Sequence, residues 1–168
     1  MEHEHTTDRP VMPEGYGVPT TDEGLLSWDQ VVERLATSTQ YWMATTRPDG
    51  RPHVVPRWGA WIDGHLWYDG SPDTLHARNL ATNSSCVLHL EDGWQAVIVE
   101  GTSGPTDPPG LEFGARIAEA FTSKYGAKGY SPEPDAWEGE ASGGLMKFTP
   151  KKSMAWFDFP NDVSRFTF

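Results

Sequence analysis

The chain has 168 residues, 37% of them hydrophobic and 12% aromatic, with eight Trp; this is the length of one domain and far too apolar for a disordered chain. Thirteen Lys and Arg against 24 Asp and Glu leave a formal charge of −11, which sets aside nucleic acid and anionic membranes as partners, although a few local cations still suffice for one phosphate. The single cysteine, Cys86, rules out an intrachain disulfide, and with no apolar run near the ~18 residues of a membrane span and no apolar signal stretch after Met1, the expected location is the cytoplasm.

Residues 1–24 are polar and rich in Pro and Gly. They read as a tail, docked at most through Val11, Tyr16 and Val18, with His3 and His5 solvated among Glu2 and Glu4 rather than holding a metal. Ser27-Trp28-Asp29-Gln30 has the form of a capping box. Trp28, Val31, Val32 and Leu35 follow at helical spacing, so a helix is predicted from Ser27 to about residue 38. Tyr41–Arg47 is a strand by its aromatic and β-branched content. Pro48-Asp49-Gly50 is a turn, and Pro52–Ile62 reads as one long strand bent near Pro56. Asp63-Gly64 predicts a hairpin into His65–Tyr68, giving a three-strand meander.

Asp73–Ala81 fits a short helix. Ser85–Glu91 alternates cleanly, and Trp94–Thr102 is the next strand. Residues 111–125 place Leu111, Ile117, Ala118, Phe121 and Tyr125 on one helical stripe. Residues 126–144, rich in Gly, Pro and acids, are expected to be a mobile surface loop. Leu145–Thr149 and Lys152–Phe159 are two last strands separated at Pro150. About seven short antiparallel strands and two or three helices indicate a mainly β, α+β domain built on a small barrel. It spans residues 25–160, with 161–168 as a C-terminal tail.

No nucleophile elbow, Walker loop, paired-glycine dinucleotide turn, Cys-x-x-Cys or His-Glu-x-x-His is present, so no catalytic residue and no metal site is assigned. Cys86 sits in an alternating apolar strand as a small hydrophobe. One constellation stands apart: Ser71-Pro72-Asp73-Thr74-Leu75-His76-Ala77-Arg78-Asn79-Leu80, where a strand end meets a helix start. Free helix amides, two hydroxyls, His76 and Arg78 suit a phosphate. The competing reading is that Ser71 or Asp73 merely caps the helix while Arg78 pairs with a surface acid. Five Trp residues, at 58, 61, 67, 94 and 156, are chiefly core or interface, with two at most lining a pocket for a flat ligand.

Taken together, Arg47-Pro48-Asp49-Gly50-Arg51-Pro52-His53-Val54-Val55-Pro56, Asp63-Gly64, Thr74–Leu80, Asp92-Gly93-Trp94 and Val99-Glu100-Gly101-Thr102 resemble the split-barrel flavin and deazaflavin oxidoreductases. These are the pyridoxamine-5′-phosphate-oxidase-like proteins, and the resemblance is to their actinobacterial coenzyme F-420 branch in particular. It covers about residues 25–160. It implies an FMN-binding-type split barrel and a homodimer with two cofactor grooves between subunits. Thr74-x-His76-x-Arg78-Asn79-Leu80 matches the phosphate-holding segment, so Thr74 and His76 would face phosphate while Arg78 and Asn79 shape the helix start or touch it. Val54-Val55-Pro56-Arg57-Trp58 matches the strand beneath the flavin-like ring. Trp94 matches an aromatic at the groove, contributed from the same or the other subunit.

The family's usual Lys is His76 here, a weaker anchor whose charge depends on pH. Arg57 either supplies the missing cation or is a solvent-facing strand residue. The cofactor-binding set is thus Val55, Pro56, Arg57, Trp58, Ser71, Thr74, His76, Arg78, Asn79 and Trp94. The activity implied is hydride transfer from coenzyme F-420 to a flat conjugated small molecule. The alternatives are an FMN-dependent enzyme of the same fold and a non-catalytic binder of a cofactor or hydrophobic molecule. The end Arg165-Phe166-Thr167-Phe168 does not match the substrate motif of pyridoxamine-phosphate oxidation, and in a dimer it would reach the neighbouring groove.

Overall fold

Alternating burial along each extended segment builds one antiparallel sheet, which a computed structural model describes over residues 4–139 and 144–168. Among the described residues the strands are β1 (Thr6–Asp8), β2 (Tyr41–Thr46), β3 (Pro52–Arg57), β4 (Ala60–Ile62), β5 (His65–Asp69), β6 (Ser85–His89), β7 (Val97–Pro105), β8 (Leu145–Ala155) and β9 (Ser164–Thr167). The helices are α1 (Trp28–Thr37), α2 (Leu75–Thr82) and α3 (Leu111–Tyr125). The strand order is β1-β9-β8-β7-β6-β2-β3, with β5 pairing both β4 and β8. This is a mainly β, α+β split barrel.

Strand β8 is the shared element. Its length pairs with β7 on one edge, while Leu145–Phe148 pair with β5 and Lys152–Ala155 with β9 on the other. The predicted break at Pro150 is instead a bulge. Lys152 pairs with Glu100 and Pro150 with Gly101, so the register shifts by one residue there. Proline has no N–H to give a regular ladder, and the bulge relieves it of that demand. Gly101 is required opposite: a Cβ there would lie 2.2 Å from the Thr149 carbonyl oxygen and 2.7 Å from Phe148 Cζ.

Helix α1 begins as predicted. Ser27 is the N-cap, Gln30 N–H donates to its hydroxyl, and the Gln30 side chain accepts from Ser27 N–H. The Asp63-Gly64 turn takes positive φ at both residues, 51° and 78°, as a two-residue hairpin needs. The stretch 52–62 is two strands rather than one, parting at Trp58-Gly59. The meander is therefore replaced: β3 pairs with β2, whereas the β4–β5 hairpin passes to β8.

Both chain ends are built into the sheet. Strand β1 pairs with β9, and Arg9 donates to the carbonyls of Thr21 (2.6 Å), Glu23 (2.5 Å) and Asn161 (2.9 Å). His5 packs against Trp28, Phe166 and Phe168 with ring centroids about 6 Å apart. The stretch read as a tail thus docks through Thr6–Arg9, while Val11 is 96% exposed; Glu2 and His3 lie outside the described residues. Phe166 is fully buried in the main core with Leu35, Tyr41, Tyr68 and Phe148, so the last residues complete their own barrel. A second core joins Ile117, Phe121 and Tyr125 of α3 to Ala60, Trp137 and Leu145.

No helix among the described residues is long and apolar enough to cross a membrane. Truncating a buried aromatic forfeits its transfer energy and leaves a cavity. Phe166→Ala is therefore expected to lower stability by about 3–5 kcal/mol, read as an earlier midpoint in urea unfolding; a variant as stable as the parent would place β9 outside the core.

Candidate functional site

The end of β3, the end of β5, the start of α2 and the segment after α3 converge on a groove. It consists of two cavities of about 400 Å³ each. One is walled by Pro56, Arg57, Trp58 and Phe121, the other by Ser71, Thr74, Ala136 and Trp137, and both include Arg57, Asp69 and Tyr130. Residues separated by up to eighty positions meet here because β5 delivers Asp69 directly beside β8, under the segment that α3 has just released.

Asp69 organises this meeting point. Its carboxylate accepts from Trp137 Nε1 at 2.5 Å and from the Tyr130 hydroxyl, and its carbonyl accepts from the Arg57 guanidinium. Burial, then the adjacent Asp69 charge, raises the Tyr130 phenol above its ordinary range, so the hydroxyl keeps its proton and donates. Arg57 Nε is buried with no hydrogen-bond partner, and the guanidinium carbon stands 5.6 Å from the centre of the Tyr68 ring. Burial lowers the Arg57 pKa somewhat, which leaves so strong a base charged. Trp58 stacks face to face on Tyr125 at 4.6 Å, so one face of the indole is already covered.

At α2, the N-cap Thr74 makes no side-chain cap bond. Its hydroxyl donates instead to the Ser71 carbonyl at 2.8 Å. Arg78 N–H is the donor to the Thr74 carbonyl, so the amides of residues 75–77 precede the helix's own acceptors. No acid lies in the first turn; the negative charges near the positive end of the helix dipole are Asp73, just before the N-cap, and Asp69, in the second cavity.

The structure therefore brings Pro56, Arg57, Trp58, Ser71 and Thr74 to one groove. The other five sequence candidates lie elsewhere. His76 is 2% exposed, with Nε2 3.5 Å from the Thr74 hydroxyl. Burial, then the charge of Arg57 and the nearby His53, pushes its pKa down to about 4. It is a neutral wall behind Thr74, not a cation facing a phosphate. Arg78 is exposed and donates to the Asp73 carbonyl at 2.5 Å. Asn79 is buried and donates to Thr45 Oγ1 at 3.0 Å, fastening α2 to β2. Val55 is half-buried in β3 opposite Met43.

Trp94 is 90% exposed and lines a different cavity of about 600 Å³ with Trp156, Phe157 and Phe159. Burial raises the Cys86 thiol to about 12, in keeping with a small core hydrophobe. Among the described residues no three His, Cys, Asp or Glu side chains group as a metal would need.

Asp69, Tyr130, Trp137 and Phe121 were not among the sequence candidates. The segment expected to be a mobile loop instead carries a 3-10 turn at Gly126–Lys128 and buries Trp137 to 3% exposure. Its readable signal was two aromatic side chains, Tyr130 and Trp137, in a run rich in Gly, Pro and acids.

Residues 27–157 match the family model described as pyridoxamine 5′-phosphate oxidase. The chain belongs to this pyridoxamine 5′-phosphate oxidase family. No curated protein matches the sequence. Among solved structures it is similar to an F420 reductase (22% identity, 84% of this chain and 98% of that one, TM-score 0.52). A FAD-binding protein from Mesorhizobium loti shares 19% identity over 85% of this chain and 95% of its own, with TM-score 0.57. The heme storage protein HutZ from Vibrio cholerae shares 16% over 73% and 89%, with TM-score 0.55. Identities this low carry the fold alone, so within the pyridoxamine 5′-phosphate oxidase family the ligand is argued from the groove.

The buried His76 has a measurable consequence. Its folded pKa lies below the 6.5 of the free side chain, so on acidification the unfolded chain takes up the proton first. Its contribution to stability is present above pH ~6.5 and is lost as pH falls toward 4. Urea unfolding of parent and His76→Asn at several pH values is expected to show the parent losing about 2–3 kcal/mol more than the variant between pH 7 and 4.

Proposed function

We propose that the chain is an oxidoreductase that binds the deazaflavin coenzyme F-420 in this groove, as a homodimer, and serves hydride transfer to a flat, conjugated small molecule. One observation carries the reading: Arg57 and Trp58 at the end of β3 share a groove with Ser71 and Thr74 at the uncapped start of α2. The residues present suit such a group. A phosphate needs donors, and the groove offers the Arg57 guanidinium, the Ser71 hydroxyl and the start of α2 at Thr74. A flat ring needs an apolar ledge, and Pro56 and Trp58 provide one.

When bound, the deazaflavin supplies the hydride chemistry. The chain's own residues bind, orient and dry. Arg57 offsets the anion. Asn79, through Thr45, holds α2 against β2, with Thr74 at its start lining the second cavity. Trp137 and Tyr130, fixed by Asp69, form part of the groove wall. The exposed Trp94 gains an apolar partner once a second copy packs on its face.

FMN in the same groove is the nearest alternative, since a terminal phosphate meets the same donors. A carrier without turnover is favoured by the neutrality of His76, which leaves the groove with less positive charge than a tight anion site. Titration with coenzyme F-420 and, separately, FMN, followed by fluorescence quenching and thermal shift, decides between the cofactors. F-420 is expected to bind; a response to FMN alone would overturn the choice. F-420 binding without reduction of any acceptor panel would support the carrier. Arg57→Ala is expected to weaken F-420 binding by about tenfold or more, since hydrogen bonds to charged groups contribute about 1.5–3 kcal/mol, with its circular dichroism unchanged.

A further inference from the structure

We propose that two copies of the chain close on each other through the outer face of the sheet, where β3, β2, β6, β7 and β8 present an apolar surface around one self-complementary ion pair, Glu100–Lys152. The inference rests on the homodimeric reading above and adds the face and the charges by which the copies meet.

The ladder registers place this face. Pro56, Trp42, His89, Ile98 and Met154 stand side by side in one row from β3 to β8. Two residues along each strand, Val54, Ala44, Val87, Glu100 and Lys152 make the next row. Successive residues of a strand point to opposite faces. The residues between the rows include Met43, Leu88 and Val99 of the main core and the fully buried Ser153. The ten therefore point outward; none is buried, and neither core takes in any of them.

An antiparallel sheet with one side in water alternates apolar with polar residues. Here seven of the ten outward residues are apolar as well, and Val54 is 52% exposed. The Trp42 and His89 rings lie nearly parallel, 7° apart in tilt with centroids at 6.4 Å, which keeps the middle of the first row flat. Beyond Met154 the same alternation reaches Trp156, which shares the cavity of about 600 Å³ with Trp94 and Phe159. The exposed Trp94 thus adjoins this face. A continuous apolar patch of this kind marks a surface that another surface covers.

Charge selects the occupant. Glu100 is the only acid in the two rows and Lys152 the only Lys or Arg; they pair at 2.8 Å with about half of each side chain exposed. The pair cancels, so the face is neutral on a chain of charge −11, and two copies can meet here while the rest of their surfaces repel. In a two-fold interface residue i meets j and j meets i. A two-fold axis at the middle of the pair sets Glu100 of each copy against Lys152 of the other, and the four charges alternate. A foreign protein would need the same dipole in reverse order, and an anionic bilayer is repelled by the charge of the chain.

Sedimentation equilibrium of the full chain tests the face. The parent is expected to be a dimer. Glu100→Lys and Lys152→Glu each place like charges across the seam, and each is expected to raise the dimer dissociation constant at least about tenfold, with the circular dichroism of the parent. Mixed in equal amounts, the two variants regain both ion pairs across the seam and are expected to form a heterodimer about as tight as the parent dimer. The double variant, with its charges exchanged, is likewise expected to dimerise. Ile98→Arg sets a charge in the middle of the apolar row and is expected to give a folded monomer; it decides should either charge variant not fold. A parent that sediments as a monomer overturns the homodimeric reading and this face with it. Single variants that dimerise as tightly as the parent put the seam elsewhere and leave the homodimeric reading standing. Variants that come apart and stay apart on mixing overturn the two-fold pairing of Glu100 with Lys152.

Discussion

A strand has two edges, and β8 must serve three neighbours with them. It does so by giving one edge wholly to β7 and dividing the other between β5 and β9. The division splits the barrel. Because β5 occupies the half of β8 that begins at Leu145, its last residue, Asp69, pairs with Leu145 itself, right where the chain returns from α3. The carboxylate is therefore delivered to the segment whose Tyr130 and Trp137 need an acceptor. The bulge opposite Gly101 lets Pro150 stay inside the same strand, so both halves of β8 remain in one ladder. Without that continuity β5 and β9 would belong to separate sheets, and the groove would lose the wall formed by β5.

The groove is a local exception in a chain of charge −11. Its lining sets one guanidinium, Arg57, against one carboxylate, Asp69, beside the open end of a helix. Burial, and after it the same guanidinium, depresses His76. A second cation at His76 would stand in the shadow of Arg57 and in the core, where both repulsion and desolvation oppose it. Burial and the charge of Arg57 together make a neutral imidazole what position 76 supports.

Much of the fold was legible because local rules and tertiary packing agree. The capping box at Ser27, the stripe on α3, the Asp63-Gly64 hairpin and the alternation through β6 each depend on neighbours within a turn or two of chain. What escaped depends on distant partners. Thr6–Asp8 and Ser164–Thr167 are short and polar in pattern; the first is a strand because β9 completes its ladder about 160 residues away, and the second because β8 and β1 flank it. Pro150 reads as a stop because nothing nearby reveals that Gly101 leaves room for a bulge. Tyr130 and Trp137 sit in a sequence with every mark of a free loop, and their order comes from an acid sixty residues earlier.

The site divided along the same line. Thr74, read from chain continuity at a helix start, and Arg57, read from the resemblance within one long strand, meet in one groove. Residues taken from a matching motif were placed by the fold according to their own chemistry. Asn79, able to donate and short enough to reach β2, became a fastener at Thr45. Arg78, long and always charged, went to solvent, since burying a second guanidinium beside Arg57 would oppose like charges in a poorly hydrated space. His76 alone could be buried at that turn, because it alone of the basic residues can shed its charge on entering the core.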